Sequence, residues 1–542
     1  MKKTVILFLS IMIMCMMANS SSAEVSIIPK PTKMQVSEDE TFSITKDTVI
    51  VVRGDAHKTA NYFQQLLKPA CGFELDIEQY DADKKPANFV GFGLVPDVDT
   101  AKGSYLIKSK SDAVIVVASD QAGLFYGAQT LRQLLPVQIE SKTRVENLNL
   151  TIPVVQIQDT PRFQWRAFML DESRYFKGEK EVKKLLDQMA LHKMNVFHWH
   201  LTDDQGWRIE IKKYPKLTEI GSKRKESQIG GWNSNKYDGK PHSGFYSQKQ
   251  IRDIVKYAAD RHITIVPEID MPGHASAAIA SYSWLGTKGH EIEVPSKFGK
   301  HYDIYKVSDP KVMQFIEDVM IEVIDLFPSD VIHIGGDEVK YDQWKSSEEI
   351  KAYMTKNKLD TPADLQIYFT NQLSKFFESK NRRMMGWNEI MGGQKLHAYQ
   401  TDEDTKVKEK LATNTIIHFW KGDVKLATKA ASDGYDIVNS LHTHTYLDYG
   451  YNNIPLKKAY NFEPIPKGLD EKYHDKVKGL GCQMWGEWIP TVEKMEKQIY
   501  PRLSAYAEVG WTATDQKDFD DFSKRVEQMK KRWDIHGIGY TK

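Results

Sequence analysis

From Trp165 onward, short apolar runs that end in polar or charged residues alternate with stretches of helical spacing. Eight such runs stand out: Ala167–Leu170, Asn195–His200, Ile263–Val266, Val331–Ile334, Arg383–Gly386, Thr415–Phe419, Asp436–Val438 and Gly481–Met484. Between most of them apolar residues recur three and four apart, as a helix with one buried face requires. One helix is predicted to begin at Ser247, where Gln250 three residues on gives capping-box spacing. Ile251, Ile254, Val255, Ala258 and Ala259 would form its inner face. Eight strand–helix units predict a (β/α)8 TIM barrel over residues 160–542. A doubly wound open sheet is the alternative, but no glycine-rich dinucleotide turn follows an early strand.

Residues 24–155 read as a small α/β domain preceding the barrel. Thr48–Val52 and Ala113–Val117 are rich in β-branched residues and predict strands, while His57–Leu67 and Ala122–Leu135 have helical spacing. Thr151–Arg162, with two prolines, reads as a junction. At the start of the chain, Lys2 and Lys3 precede the apolar run Val5–Ala18. That run falls short of the ~20 residues that span a bilayer as a helix, and small residues ending Ser21-Ser22-Ala23 follow it. Residues 1–23 therefore predict a cleaved signal peptide and export to the periplasm or the medium. A retained anchor is the alternative, though Met12-Ile13-Met14 makes a poor lipobox before Cys15. No later segment is long and apolar enough to cross a membrane.

Composition narrows this picture a little. Lys+Arg is 74 against 73 for Asp+Glu, so no basic excess points to nucleic acid. Cys71 and Cys482, the two thiols beyond the leader, are too few and too far apart for a disulfide framework or a zinc cluster. They are expected to be buried as small hydrophobes.

A barrel places its chemistry at the C-terminal ends of its strands, and here each such end carries a carboxylate or an aromatic residue. The first gives Asp171, Glu172 and Arg174; the second Asp203 and Asp204; the third Glu268, Asp270 and His274. The fourth gives Asp337 and Glu338, the fifth Trp387 and Glu389, and the sixth Trp420. His442, His444, Tyr446 and Asp448 follow the seventh, and Trp485 and Glu487 the eighth. Such loading predicts one pocket.

His333-Ile334-Gly335-Gly336-Asp337-Glu338 is the most informative stretch. Neighbouring side chains of a strand point to opposite faces, so adjacent carboxylates share a pocket only where the strand breaks, and two glycines permit that. An Asp anion beside Glu338 would raise the glutamate and suit it to act as an acid near neutral pH. Trp387, Trp420 and Trp485 are placed to stack on the apolar faces of a sugar, with Arg174, Asp448 and Glu487 to bond its hydroxyls. His198-Trp199-His200 puts two imidazoles on one strand face, and His442-Thr443-His444 repeats the spacing. A metal hydrolase is the alternative these pairs raise, but they lie on strands far apart in order. A packed or hydrogen-bonded role is expected for them.

Six stretches together resemble glycoside hydrolase family twenty, the β-N-acetylhexosaminidases. They are Asp171-Glu172-Ser173-Arg174, His198–Arg208, Pro267–His274, His333–Val339, Trp387-Asn388-Glu389 and Tyr446-Leu447-Asp448-Tyr449. The resemblance covers both predicted domains and departs nowhere at the central positions. It implies an exo-acting retaining enzyme that removes terminal β-linked GlcNAc or GalNAc from an oligosaccharide or glycoconjugate. In such enzymes the substrate's own acetamido oxygen is the nucleophile, an exception to the two-carboxylate scheme. Glu338 then matches the general acid/base, Asp337 the residue that holds the acetamido N–H, and Tyr446 the phenol that bonds its oxygen. Arg174, Asp448 and Glu487 match hydroxyl-binding residues, and Trp387, Trp420 and Trp485 the pocket walls. Asp204 and His274 match groups supporting the acid. No cofactor and no metal is implied.

Two rivals remain at this stage. One is a two-carboxylate retaining glycosidase using Glu338 with Glu487; the other is a non-catalytic glycan-binding protein. The loop Glu226–Phe245 is expected to border the leaving-group side, and Leu396–Ala412 to be a solvated surface insertion.

Overall fold

In the computed structural model, the described residues are 25–542 apart from 85, 97–99, 393–395, 398–406 and 408–409. The leader expected at residues 1–23 lies outside them.

The first domain is a seven-stranded mixed sheet in the order Lys33–Ser43, Thr151–Asp159, Tyr105–Lys110, Ala113–Ala118, Phe89–Leu94, Val49–Arg53 and Ile77–Gln79. Helices His57–Cys71 and Gln121–Leu134 contribute Phe63, Leu67, Leu124, Phe125 and Leu131 to its core. The segment expected to be a junction is mostly strand. Pro153, which lacks a donor, is tolerated because it pairs with Thr41, where the register of the partner strand shifts.

The second domain is a closed barrel of eight parallel strands. They are Trp165–Asp171, Val196–Asp203, Thr264–Ile269, Val331–His333, Arg383–Trp387, Ile416–Phe419, Asp436–Asn439 and Val477–Met484, with the last pairing back onto the first. Each contains or overlaps one of the eight apolar runs. The helix expected after Ser247 spans Gln248–Ala259, and both halves of its capping box form.

The barrel interior is layered. Ala167, Val196, Val266, Val331, Met385, Ile416 and Val438, one from each of the first seven strands, close its lower end. Above them lies a polar layer built on Glu268, and above that Met169, Trp387, Trp420 and Tyr446. An apolar plug beneath a polar layer fixes the chemistry at the upper end. Among the described residues no helix is long and apolar enough to cross a membrane. Cys482 is buried as expected, whereas Cys71 is only half-buried, at the end of its helix.

The final helix, Phe519–His536, ties the domains together. Glu140 of the first domain, fully buried, accepts from Arg132 Nε at 3.0 Å, Arg532 Nη1 at 2.7 Å and His536 Nε2 at 3.0 Å. Removing one member of a buried charge network leaves the others uncompensated. Glu140→Ala is therefore expected to cost about 3–5 kcal/mol, read as a lower denaturant midpoint; a loss under about 1 kcal/mol, the surface-pair range, would contradict it.

Candidate active site

The fourth barrel strand stops at His333, and Gly335 and Gly336 follow with φ of 66° and 90°. A Cβ on Gly335 would stand 1.8 Å from Asp270 Oδ1, so only glycine fits there. The turn brings Asp337 and Glu338 to one pocket. Glu338 itself has φ of 53° and His274 has 49°, left-handed backbone that is uncommon outside glycine and concentrates at functional sites.

His274 joins the two carboxylates. Its Nδ1 lies 3.1 Å from both Asp203 Oδ1 and Asp204 Oδ2. Its Nε2 lies 4.0 Å from Asp337 Oδ2 and 3.8 Å from Glu338 Oε2. Burial disfavours charge on this imidazole, but Asp203 and Asp204 outweigh it and raise it well above the ordinary histidine range. Asp204 is held in turn by the Ser276 hydroxyl and backbone N–H.

The two adjacent carboxyls titrate in the order opposite to the sequence expectation. Burial pushes Asp337 up to about 8, helped by Glu389, Glu338 and Glu268 and opposed by His274. Burial also disfavours charge on Glu338, but His274, Lys300 and His397 outweigh it and hold Glu338 below the usual glutamate range. Lys300 Nζ is 2.9 Å, and His397 Nε2 3.2 Å, from Glu338 Oε1. Proximity of two carboxyls raises one of them, and here the nitrogen groups around Glu338 choose Asp337.

The remaining expected residues converge on the same pocket. Arg174 is buried rather than solvated. It donates to Asp171 Oδ2 at 3.0 Å and Gln205 Oε1 at 2.9 Å, pairs with Asp203 Oδ2 at 2.6 Å, and lies 3.9 Å from Glu487 Oε1. Trp387, Trp420, Trp485 and Tyr446 form an aromatic box. Trp420 and Tyr446 stand nearly parallel, 10° apart at 6.1 Å, and Trp387 lies 5.9 Å from Trp485 and 6.5 Å from Trp420. The indoles are pinned, Trp387 to Glu268 Oε1 and Trp420 to Glu389 Oε2, both at 2.9 Å. Asp337 Oδ1 and Asp448 Oδ1 are buried with no hydrogen-bond partner among the described residues. Such atoms are costly unless a ligand or water satisfies them.

The histidines behave as packed groups. Glu268 sits among His198 Nε2 at 2.8 Å, His200 Nδ1 at 2.7 Å and His333 Nδ1 at 3.1 Å. His442 turns its Nδ1 to the Tyr449 hydroxyl at 3.2 Å, while His444 stacks on Phe462.

Two groups on Glu338 escaped the sequence reading. Lys300 lies on a long loop without periodicity. His397 falls within the charged stretch expected to be a solvated insertion, yet it is buried against Glu338, and Leu411 and Ala412 are buried as well. The rest of that stretch is largely outside the described residues. Within the loop Glu226–Phe245, the Trp232 ring packs beside Gly299, next to Lys300.

Comparison with known proteins agrees with this geometry. The profile for "Glycosyl hydrolase family 20, catalytic domain" matches residues 163–514, and that for domain 2 of the same family matches 24–160. The chain belongs to glycosyl hydrolase family 20. It is a glycoside hydrolase, with the family's domain 2 ahead of its barrel. A beta-hexosaminidase of Porphyromonas gingivalis is 38% identical over 536 residues, covering 95% of this chain and 64% of that protein. A beta-N-acetylhexosaminidase of Cellulomonas fimi is 27% identical, covering 95% of both. Among solved structures, the family 20 exo beta-N-acetylglucosaminidase of Vibrio harveyi bound to N-acetylglucosamine superposes with a TM-score of 0.81 at 30% identity, covering 97% of this chain and 80% of that one.

Proposed function

We propose that this family 20 enzyme is an exo-acting retaining β-N-acetylhexosaminidase, releasing terminal β-linked GlcNAc and GalNAc from glycans by substrate-assisted catalysis. It would act after export, given the leader-like pattern of Lys2, Lys3 and Val5–Ala18. The names carried by its relatives support the activity. One observation supports the mechanism most: the buried, unpartnered Oδ1 of Asp337 beside an aromatic box that includes Tyr446. A pocket with an unsatisfied acceptor and a phenol suits an acetamido group, whose N–H would bond Asp337 and whose oxygen would be held by Tyr446.

The chemistry then follows from the titration order. Free enzyme holds the shared proton on Asp337. An incoming acetamido N–H donates to Asp337 and favours its anion. A leaving-group oxygen arriving at Glu338 can only accept a hydrogen bond, and so favours the acid form of that carboxyl. Glu338 protonates the leaving oxygen as the acetamido oxygen attacks the anomeric carbon. The resulting oxazolinium is stabilised by the Asp337 anion, and water activated by Glu338 opens it with net retention. Arg174, Asp448 and Glu487 hold the ring hydroxyls, and Asp204 positions His274.

The two-carboxylate alternative finds less support, because Glu487 is engaged beside Arg174 on the hydroxyl-binding side. An oxazoline-mimicking thiazoline is expected to bind far more tightly than GlcNAc, since transition-state analogues gain about 10²–10⁸-fold over substrates. The enzyme should also fail on glycosides with a 2-hydroxyl in place of the 2-acetamido group. Equal turnover of both glycosides, with a trapped covalent glycosyl-enzyme, would replace this reading by the two-carboxylate one.

A further inference from the structure

Beside Glu338, three nitrogen-bearing side chains converge. Lys300 Nζ lies 3.2 Å, and Lys421 Nζ 3.4 Å, from the same atom, His397 Nδ1. Ammonium groups only donate, so Nδ1 accepts and the opposite nitrogen, Nε2, faces Glu338 Oε1. Lys300 and His397 thus have a plain part in holding Glu338 ionised. Lys421 stands farther from that carboxylate. Among the described residues no carboxylate comes within 4 Å of its ammonium, and its position beside Lys300 brings two like charges onto one acceptor. Burial and Lys300 both disfavour its protonation, against the pull of Glu338 and Glu389.

Lys421 is nevertheless held in place. Its carbonyl accepts from Asn388 Nδ2 at 3.1 Å, the same side chain whose oxygen accepts from Trp420 N–H at 3.1 Å. Its ammonium lies 5.2 Å from the centre of the Trp420 ring, the wall of the aromatic box. Lys300 therefore stands at the acid and Lys421 at the wall of the box, and the departing sugar, whose oxygen Glu338 must protonate, lies beside that acid. Like charges held together there are relieved by an anion. An anion drawing Lys300 toward Lys421 would also remove a cation from Glu338 and let that carboxyl keep the proton it must give.

We infer that Lys300, His397 and Lys421 form a subsite for an anionic group on the departing sugar, so that the enzyme prefers N-acetylhexosamine linked to an acidic residue, a uronic acid or a sulfated hexose. This rests on the hexosaminidase reading above. The test compares matched substrates with the full-length enzyme: β-GlcNAc linked to glucose against glucuronic acid, and to galactose against galactose 6-sulfate, with nitrophenyl β-GlcNAc alongside. The acidic member of at least one pair is expected to exceed its neutral twin in kcat/KM by about tenfold or more, as charge-assisted bonds give. The preference should shrink as salt rises from about 0.05 to about 0.5 M. Lys421→Met should bring the ratio close to one, and Lys421→Arg should keep it. A preference confined to the glucuronide identifies a carboxylate, and one confined to the sulfated pair a sulfate. Neutral twins cleaved as fast or faster, with nitrophenyl β-GlcNAc hydrolysed, would overturn the subsite and leave the hexosaminidase standing. So would a preference indifferent to Lys421→Met. If none of the substrates, the nitrophenyl glycoside included, is hydrolysed, both readings fall.

Discussion

Glu338→Gln is expected to slow release of GlcNAc from a disaccharide by about 10³–10⁴-fold, the upper part of the range for general acid–base catalysis. Glutamine keeps the shape of the side chain but has no proton to give to a sugar alkoxide. A nitrophenyl glycoside leaves as a stabilised phenolate and needs little protonation, so its glycosylation step should lose far less. The contrast between the two substrates carries the assignment. Loss of the carboxylate also strands Lys300 and His397, which lie 2.9 Å and 3.2 Å from Oε1. A general structural failure would therefore depress both substrates alike. Parallel kinetics on the two, with unchanged unfolding, separates these outcomes, and equal losses would remove Glu338 from the role of acid.

The barrel was legible because its signal is repeated. Eight buried parallel strands read as near-continuous apolar runs, and each ends where the chain must leave the barrel and expose polar groups. That repetition also made the expected site readable: Arg174, Asp337, Trp387, Trp420, Tyr446, Asp448, Trp485 and Glu487 all lie at or beyond strand ends. The loop between the third and fourth strands, and the stretch after the fifth, had no such frame. Lys300 and His397 reach Glu338 from irregular backbone, where no periodicity ties sequence position to direction. In a stretch dense with charge, no pattern marks out the one imidazole that is buried.

The titration order of Asp337 and Glu338 was hidden for the same reason. Adjacency in sequence says that two carboxyls compete for one proton, but the winner depends on nitrogen groups brought in from elsewhere. Lys300, His397 and His274 lie on three other segments. Likewise Thr151–Arg162 resembled a junction because of its two prolines, yet Pro153 sits at the one irregularity of pairing that admits it. In each case a local rule was overridden by a neighbour distant in sequence.

Asp337→Asn is expected to lower kcat by about 10²–10³-fold, the size of losing one preorganised charge-stabilising group, and to move the pH profile in a way no packing defect does. The profile of kcat/KM reports the free enzyme. In the wild type the carboxyl pair holds one proton below about 8, on Asp337, and none above it. Since one proton must reach the leaving oxygen, kcat/KM should fall as pH rises through about 8. In the Asp337→Asn variant, Glu338 is the one member of the pair that can carry the proton. Burial works to raise it, but His274, Lys300 and His397 together hold it below the ordinary glutamate value of 4.5. The alkaline limb should then shift to the acid side of 4.5, so that the variant is most active in acid and its deficit grows steadily toward neutrality. The measurement is kcat/KM for a GlcNAc disaccharide from acid to mildly alkaline pH in both proteins. A limb that stays near 8 in the variant would place the working proton on another group, and would break the link between the observed carboxyl order and the acid step.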